Sequence, residues 1–376
     1  MRRRNVIYFD AAATTLQKPP EVRRAVLRAM ESCASPGRGG YASAQAADRL
    51  LFDCRTEAAK LFDCEPEQAV FTMNATHGLN IAVKSLLRPG QKAAISGFEH
   101  NAVLRPLHAL GAEVCVAGRA LFDRDAVLEG FERAITGDTA AVICTHVSNV
   151  FGFILPVAEI SALCRMRGVP FILDASQSAG LLPVSLRDLG ADFIAMPGHK
   201  GLYGPQGTGL LLCAQPGRTL TEGGTGTASR SREMPGELPE RHEAGTPNVC
   251  GIAGLRAGLR FIMDHADGEL LRHECALRAH LAGKLRRLDA ECFCGEDQTG
   301  VLSVRIPGLD CEDAAELLAR QGVAVRAGLH CAPLAHESAG TPETGTIRLS
   351  FSAFNTPREV DHAAFAVSEA IRLAKS

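Results

Sequence analysis

The first two thirds of the chain alternate short apolar runs with longer stretches that have the periodicity of amphipathic helices. Strands separated by helices require crossover connections, which produce a mostly parallel sheet covered by helices on both faces. The pattern therefore predicts an α/β fold whose large domain contains a mostly parallel seven-stranded sheet. The predicted strands are residues 69–72, 92–96, 112–117, 140–145, 169–174, 192–196 and 209–214.

In such sheets, ligands bind beyond the carboxyl ends of the strands. Asp174 closes the fifth predicted strand and Lys200 follows the sixth, 26 residues later. Because this spacing is about the length of one crossover, we expect both side chains on adjacent or near-adjacent strand ends that face one crevice. A buried carboxylate needs a cationic partner. Helix capping by Asp174 is the alternative interpretation.

Polar residues follow other predicted strands as well. Asn74, Ala75 and Thr76 follow the first strand and open a helix, whose free backbone N–H groups and positive dipole end favour an anion such as phosphate. A simple N-cap threonine is the alternative here. His100 follows the second strand and Asn149 follows the fourth. An ordinary hydrogen-bonding histidine and a turn-forming asparagine are the alternatives for these two residues.

Together these groups form the set that pyridoxal phosphate needs. A lysine links to the cofactor covalently, an aspartate keeps the pyridine nitrogen protonated so that the ring works as an electron sink, and a helix N-terminus holds the phosphate. The glycines after Lys200 do not form the dinucleotide pattern G-x-G-x-x-G, and the chain has no G-x-x-x-x-G-K-[ST] loop. The residues therefore predict pyridoxal 5'-phosphate as the cofactor.

Charge and cysteine content limit the partners and the compartment. The chain has 40 basic and 42 acidic side chains and a formal net charge of −2, which gives no electrostatic reason to expect a nucleic acid or an anionic membrane as partner. No signal-peptide core follows the basic N-terminus, and no apolar run is long enough to span a membrane. The 13 cysteines are scattered and form no C-x-x-C pair. We expect a cytoplasmic protein with no metal site.

The chain is expected to divide near residue 250. Residues 1–250 would form the large cofactor-binding domain, with about the first 15 residues packing on the other domain. Residues 251–376 would form a smaller α+β domain, with a strand at "GVLSVRIP" and a helix from Cys311 to Gln321. Residues 222–248 are rich in Gly, Thr, Ser, Pro and charge, and predict a long surface excursion.

Seven motifs along almost the whole chain resemble those of the cysteine desulfurase and selenocysteine lyase family. This family belongs to the class V aminotransferase group of fold-type I pyridoxal phosphate enzymes. The motifs are "FTMNATHGLN", "FEHNAVL", "THVSNVFG", "ILDASQSAG", "GHKGLYGPQGTG", "HEAGTPN" and "VRAGLHCAP". The resemblance implies the fold of a fold-type I pyridoxal-phosphate-dependent transferase.

The resemblance also implies roles around the cofactor ring. By position, Lys200 is similar to the lysine that carries the cofactor, and His100 to the imidazole that stacks over its ring. Asp174 would contact the pyridine nitrogen and Gln177 the ring hydroxyl. Asn149 lies where the family has a residue that contacts both cofactor and substrate.

Phosphate and substrate ligands follow in the same way. The implied phosphate ligands are the Ala75 backbone, Thr76 and His199 of one subunit and Thr246 of the other subunit of a homodimer. The implied substrate ligands are Asn149, Arg326 and Arg348. The guanidinium group of Arg348 would take the substrate carboxylate through two parallel hydrogen bonds.

Cys331 carries the implied reaction. A cysteine is most often a small core residue, but Arg326, Gly328, His330 and Pro333 surround this one with a polar turn and basic groups, an environment that favours a nucleophilic thiol. In the family, the cysteine at this position attacks the sulfur of the substrate. The resemblance therefore implies conversion of L-cysteine to L-alanine, with the sulfur left as a persulfide on Cys331.

Lys200, Cys331 and His100 would be the catalytic residues, and a selenocysteine lyase that releases selenide from L-selenocysteine is the alternative. A class V aminotransferase or epimerase would have no need of Cys331. The short segment from Cys331 to Arg348 resembles a subgroup that passes sulfur to a partner protein, and the family serves sulfur metabolism such as iron–sulfur cluster assembly.

Three residues depart from the family's motifs. Pro197 stands where a hydroxyl residue is common, Ala11 where asparagine is common, and Asn101 where a second histidine is common. These departures leave the cofactor prediction unchanged. They make the expected phosphate and substrate contacts less specific.

Overall fold

The computed structural model describes residues 6–37, 39–227, 229–265 and 268–374. Residues 1–5, part of the segment expected to pack on the smaller domain, lie outside the described residues. The strands are β1 (Ile7–Tyr8), β2 (Ala69–Thr72), β3 (Lys92–Ile95), β4 (Glu113–Val116), β5 (Thr139–Thr145), β6 (Phe171–Asp174), β7 (Phe193–Pro197), β8 (Gly209–Cys213), β9 (Glu291–Phe293), β10 (Val301–Arg305), β11 (Val323–Ala324), β12 (Arg326–Gly328) and β13 (Thr346–Ser350). The helices are α1 (Pro20–Ser32), α2 (Ala42–Phe62), α3 (Ala75–Leu86), α4 (Asn101–Leu110), α5 (Arg124–Ala134), α6 (Val157–Arg167), α7 (Leu186–Leu189), α8 (Val249–Met263), α9 (Glu269–Leu285), α10 (Cys311–Arg320), α11 (Pro333–Ser338) and α12 (Pro357–Ala374).

The seven predicted strands form β2 to β8 and pair into one sheet in the order β2-β8-β7-β6-β5-β3-β4. Five of them, β7, β6, β5, β3 and β4, are parallel neighbours, whereas β8 runs antiparallel to both β7 and β2. The predicted α/β fold with a mostly parallel sheet is confirmed. Because β8 reverses direction between its two neighbours, β2 and β7 run the same way and end at the same edge of the sheet.

Side chains of this sheet alternate between two apolar cores. On one face, Phe71, Val142 and Leu173 pack with side chains of α2, α5, α6 and α8. On the other face, Val70 and Ile143 pack with side chains of α3 and α4. Burial on both faces explains why these strands are continuous apolar runs rather than alternating ones.

A further core lies against the antiparallel sheet β12-β13-β10-β9, which is covered by α9, α10 and α12. The predicted strand at "GVLSVRIP" is β10, and the predicted helix is α10. Strand β1 pairs in parallel with β11, Ile7 opposite Val323, and Phe9 joins this core. Almost all of α8 comes after residue 250 in the sequence. Its apolar side chains nevertheless belong to the core of the large sheet.

The segment 222–248 contains no helix or strand in its described parts, 222–227 and 229–248. It runs over the cavity beside α2. Within the described ranges, no helix combines the length and the apolar character that crossing a membrane requires.

Candidate active site

The polar residues predicted to share a crevice lie at one edge of the large sheet. Thr145, at the end of β5, is paired in register with Asp174 at the end of β6. Asp174 is paired in turn with Ala195 of β7, and Lys200 follows three residues after Pro197, the last residue of that strand. Asp174 and Lys200 therefore follow adjacent parallel strands, in agreement with their spacing in the sequence.

One cavity of about 290 Å³ opens at this edge. Of the predicted site residues, it is lined by Ala75, Thr76, His100, Asn149, Asp174, Gln177, His199, Lys200, Arg326, Cys331 and Arg348. Thr246 lines a separate cavity between α2 and the segment 222–248. Within one subunit, the structure thus brings all the predicted site residues except Thr246 together.

Asp174 and Lys200 are two ionisable residues that line this cavity. Asp174 is only 2% exposed, and its Oδ1 accepts a hydrogen bond from the backbone N–H of Ser176 at 2.9 Å. No helix begins in the described residues between Asp174 and Ser185, so Asp174 is not a helix cap. Burial lowers the pKa of Lys200 to about 8, and the charge of Asp174 acts in the opposite direction. A large share of Lys200 side chains is therefore neutral amine near pH 8.

His100 contributes a neutral imidazole. It is the N-cap residue of α4, and its Nδ1 accepts a hydrogen bond from the backbone N–H of Ala102 at 3.0 Å. This contact assigns the proton of the neutral ring to Nε2. Burial is the main cause that lowers the pKa of His100 to about 4, and the charge of Lys200 adds to it. At neutral pH the cavity therefore has an imidazole N–H donor that carries no charge.

The first turn of α3 opens toward the cavity. Asn74 is the N-cap residue, and its Oδ1 accepts a hydrogen bond from His77 N–H at 2.9 Å. Thr76 is therefore not the cap, and no hydrogen bond of its hydroxyl group is seen among the described residues. The N–H groups of Ala75 and Thr76 have no partner within the helix, as in every first turn. His199 lines the same cavity, and its Nδ1 is buried without a hydrogen-bond partner among the described residues.

Arg348 lies on β13 with only 2% of its surface exposed. One of its terminal nitrogens donates to the backbone oxygen of Asn149 at 2.9 Å, and the other forms an ion pair with Asp10 at 2.6 Å. Its Nε is buried and has no partner among the described residues. The guanidinium group is thus held in place from two sides.

The segment that carries Cys331 is fixed to the large sheet through its backbone. Asn149 Nδ2 donates to the His330 carbonyl oxygen at 2.9 Å, and Asn101 N–H donates to the Cys331 carbonyl oxygen at 2.8 Å. Both His330 and Cys331 have left-handed backbone conformations, with φ of 53° and 58°. Of the 13 cysteines, all of which lie in the described part of the chain, only Cys331 is exposed.

Two acidic residues of the site were missed by the sequence analysis. Asp10 belongs to the stretch "YFDAAATT" near the start of the chain, and only its long-range contact with Arg348 connects it to the site. Glu99 is completely buried beside His100, and its Oε1 accepts hydrogen bonds from Ser96 Oγ and from Thr145 N–H. Burial raises the pKa of Glu99 to about 8. In the sequence, the only indication of its role was its position directly before His100 in "SGFEH".

Comparisons with known proteins agree with this arrangement. A sequence model of the family described as aminotransferase class-V matches residues 7–363. A protein of Methanothermobacter thermautotrophicus, named probable cysteine desulfurase, is 33% identical over 374 residues that cover 95% of this chain and 92% of the relative. A solved structure, the apo cysteine desulfurase of Thermococcus onnurineus, matches with a TM-score of 0.89 and 31% identity, covering 98% of this chain and 95% of that chain. The chain belongs to the cysteine desulfurase family of class-V aminotransferases.

A second solved cysteine desulfurase, from Escherichia coli, has a TM-score of 0.84 and 28% identity over 98% of this chain and 95% of its own.

The departures from the family's motifs can now be placed in the fold. Pro197 lines the cavity without offering a hydroxyl group. Asn101 is the first residue of α4, and its backbone contacts the Cys331 segment. Ala11 is buried, and its neighbour Ala12 accepts a hydrogen bond from Gln177 Nε2 at 3.0 Å.

Proposed function

We propose that this protein is a pyridoxal-phosphate-dependent cysteine desulfurase that converts L-cysteine to L-alanine and leaves the sulfur as a persulfide on Cys331. One observation carries the proposal: the only exposed cysteine lines the same cavity as Lys200, Asp174 and Arg348. Relatives named cysteine desulfurase along almost the whole chain support it.

The residues of the cavity fit pyridoxal 5'-phosphate. The first turn of α3, the Thr76 hydroxyl and the unpaired Nδ1 of His199 would hold the phosphate. Asp174 would face the pyridine nitrogen, Gln177 the ring hydroxyl, and Lys200 would carry the cofactor. When bound, the cofactor supplies an electron sink for the negative charge that develops on the substrate carbon.

Arg348 orients the substrate. Because its guanidinium group is already fixed by Asp10 and by the Asn149 backbone, little side-chain freedom is lost when it binds a carboxylate. Asn149 adds a contact on the same side, and Arg326 lines the cavity beside Cys331. The α-carboxylate of an amino acid held there would leave its side chain directed to the thiol.

Proton movement falls to Lys200 and His100. With its pKa lowered to about 8, the Lys200 amine is available in its neutral form and takes the proton from Cα of the substrate. His100 carries a proton on Nε2 in its neutral form and can exchange it within the cavity. Asp174 itself is almost completely shielded from solvent, which strengthens its interaction with a positive charge beside it.

Cys331 then takes the sulfur. Its thiolate attacks the sulfur of cysteine, the new S–S bond forms as the substrate's C–S bond breaks, and the electron pair of that bond stays on the carbon. That carbon takes up a proton and becomes the methyl group of alanine, and the proton that Lys200 took from Cα is returned to Cα. The products are alanine and the Cys331 persulfide, so atoms and electrons balance without an external oxidant or reductant.

Three finer statements belong to the same proposal. We infer that the enzyme is a homodimer, because Thr246 lies away from the other phosphate ligands of its own subunit. A protein that accepts sulfur, as in iron–sulfur cluster assembly, would remove it from the exposed Cys331. A reducing cytoplasm suits a chain whose 13 cysteines are all free. Selenocysteine uses the same site, so both amino acids belong in the assay.

The test is the Cys331→Ala variant of the cofactor-loaded enzyme. We expect it to lose alanine formation from cysteine, while cofactor absorbance and its change upon cysteine binding remain, because Lys200, Asp174 and Arg348 are intact. Wild-type enzyme treated with cysteine should gain one sulfur mass on the peptide that carries Cys331. Cys33→Ala, which removes a half-buried thiol that does not line this cavity, is the matched control.

Full desulfurase activity of the alanine variant would contradict the mechanism. Activity that survives on selenocysteine alone would identify the enzyme as a selenocysteine lyase. Alanine formation from neither substrate by the wild-type enzyme, with cofactor bound, would favour an aminotransferase or epimerase.

A further inference from the structure

A row of three buried side chains leads away from the reactive cysteine. His330 Nδ1 lies 3.4 Å from His336 Nε2, and the two rings are nearly parallel, with an interplanar angle of 10°. His336 Nδ1 lies 2.8 Å from Thr341 Oγ1, and His330 Nε2 lies 3.3 Å from the Arg326 carbonyl oxygen. The exposed fractions of His330, His336 and Thr341 are 5%, 0% and 1%.

The hydrogen bonds of this row can run in only one direction. A carbonyl oxygen only accepts, so His330 Nε2 must donate to Arg326. The Nδ1 of a neutral His330 then accepts, and His336 Nε2 donates to it. His336 Nδ1 accepts in turn, and the hydroxyl of Thr341 donates. Burial lowers the pKa of His330 to about 2 and that of His336 to about 4, so both rings are neutral as this order requires.

This row joins three parts of the active-site wall. Arg326 is on β12 and is paired in register with Arg348, the residue proposed to hold the substrate carboxylate. His330 immediately precedes Cys331, and both have a left-handed backbone conformation. Residues other than glycine rarely adopt this conformation without support from their surroundings. His336 is on α11, where its ring also packs against Phe151 at a centroid distance of 5.8 Å.

The row therefore sets how far the thiol stands from the carboxylate site. One end of the row is the backbone of Arg326, which is paired with Arg348 in the sheet. The next member is His330, the residue directly before Cys331. The other end is Thr341, whose own N–H donates to the His336 carbonyl oxygen at 2.8 Å. Loss of the hydroxyl at Thr341 would leave a buried acceptor on His336 without a partner and would release the ring from its fixed orientation.

We propose that His336 and Thr341 are positioning residues for sulfur transfer: through His330, they hold Cys331 at a fixed place relative to the substrate carboxylate site. Neither residue is among those that line the cavity. The inference rests on the proposed desulfurase function, which assigns the sulfur transfer to Cys331. It predicts that the two residues affect the transfer step and leave substrate binding unchanged.

The test compares Thr341→Val with Thr341→Ser in the cofactor-loaded enzyme. Valine keeps the volume and removes the donor, whereas serine keeps the donor. We expect Thr341→Val to lower the single-turnover rate of alanine formation about three- to tenfold, the range that loss of one neutral hydrogen bond produces. The dissociation constant for cysteine, read from the cofactor absorbance, should not change. Thr341→Ser should restore the rate.

A second variant and a second readout complete the experiment. His336→Phe keeps a flat ring against Phe151 but removes both hydrogen bonds, and should slow the same step. The matched control is His273→Phe, which changes a histidine of α9 and removes its 3.0 Å contact with the Asn355 carbonyl oxygen. This variant should not slow the step. Amide hydrogen exchange in peptides covering residues 329–341 should increase in Thr341→Val and remain as in the wild type in Thr341→Ser.

Three results would overturn the proposal. The first is a wild-type rate and wild-type exchange in Thr341→Val. The second is an equal effect of valine and serine at this position. The third is a weakened affinity for cysteine with an unchanged transfer rate. If the wild-type enzyme forms no alanine from cysteine, the proposed function fails, while the exchange experiment still decides whether Thr341 and His336 hold the Cys331 segment.

Discussion

At the scale of single residues, the site depends on groups whose protonation is set by burial. Lys200, His100 and Glu99 all have pKa values shifted toward the neutral form, and burial is the first cause in each case. Asp174 is a buried acid at the end of β6, and Arg348 forms an ion pair with Asp10. The cavity thus holds neutral groups that can move protons next to fixed charges that bind and orient.

The shifted pKa of Lys200 predicts a pH dependence for cofactor loading. Below about pH 8 the side chain is an ammonium and cannot attack an aldehyde, so the rate of covalent loading of the apoprotein should rise about tenfold per pH unit and level off above pH 8. Stopped-flow absorbance with pyridoxal phosphate measures this rate. Lys200→Arg stays charged, and borohydride should fix no cofactor to it. A rate that keeps rising to pH 10 would show an amine with an ordinary pKa.

At the scale of elements, the turn that follows β7 places the lysine. Gly201 passes so close to the turn after β6 that an added Cβ would overlap the Ala179 carbonyl oxygen. Gly180, with φ of +89°, faces the Gly201 carbonyl oxygen in the same way. Two strand-end turns therefore pack backbone against backbone, which fixes Lys200 relative to Asp174.

This close approach predicts a specific effect of Gly201→Ala. The methyl group must push two backbone segments apart, so we expect a loss of about 1–3 kcal/mol in the free energy of unfolding. We also expect a lower ratio of cofactor absorbance to protein, because Lys200 moves. Gly137→Ala is the matched control, since a Cβ there has no atom within 4 Å. Denaturant unfolding and absorbance spectra provide the measurements. Wild-type values for Gly201→Ala would refute the packing argument.

At the scale of the whole molecule, the cavity is built from both ends of the chain. Residues at the edge of the large sheet, among them Asp174 and Lys200, line one part of it, whereas β12, β13 and the segment between them supply Arg326, Cys331 and Arg348. Asp10, near the start of the chain, pairs with Arg348 near its end. Thr246 alone among the predicted ligands stands outside, which is the basis for the inferred dimer.

The dimer leads to a prediction for Thr246. Sedimentation should give a dimer for the cofactor-loaded enzyme, with an interface of more than roughly 2,000 Å² as in obligate dimers. Thr246→Val should remain dimeric and bind pyridoxal phosphate about three- to tenfold more weakly, since one hydrogen bond to the phosphate is lost. Thr221→Val changes an exposed threonine just before the same segment and should have no effect. A stable cofactor-loaded monomer would contradict the inferred dimer.

The sequence by itself determined the elements and most of the site. The seven strands of the large sheet were predicted to within two residues at each end, because buried parallel strands are short apolar runs with clear limits. Asp174 and Lys200 could be placed together because a crossover of known length joins adjacent parallel strands. Turn and cap chemistry is equally local, and it identified the start of α3.

Only the tertiary structure decided which distant segments meet. Strand β8 runs antiparallel between β7 and β2, and nothing in its apolar sequence specifies that direction or those neighbours. The ion pair of Asp10 with Arg348 and the row from Thr341 to His330 join residues whose side chains must be buried together before their charges and protons have defined partners. Local sequence sets backbone preference and apolar periodicity, whereas burial and pairing depend on how the elements pack.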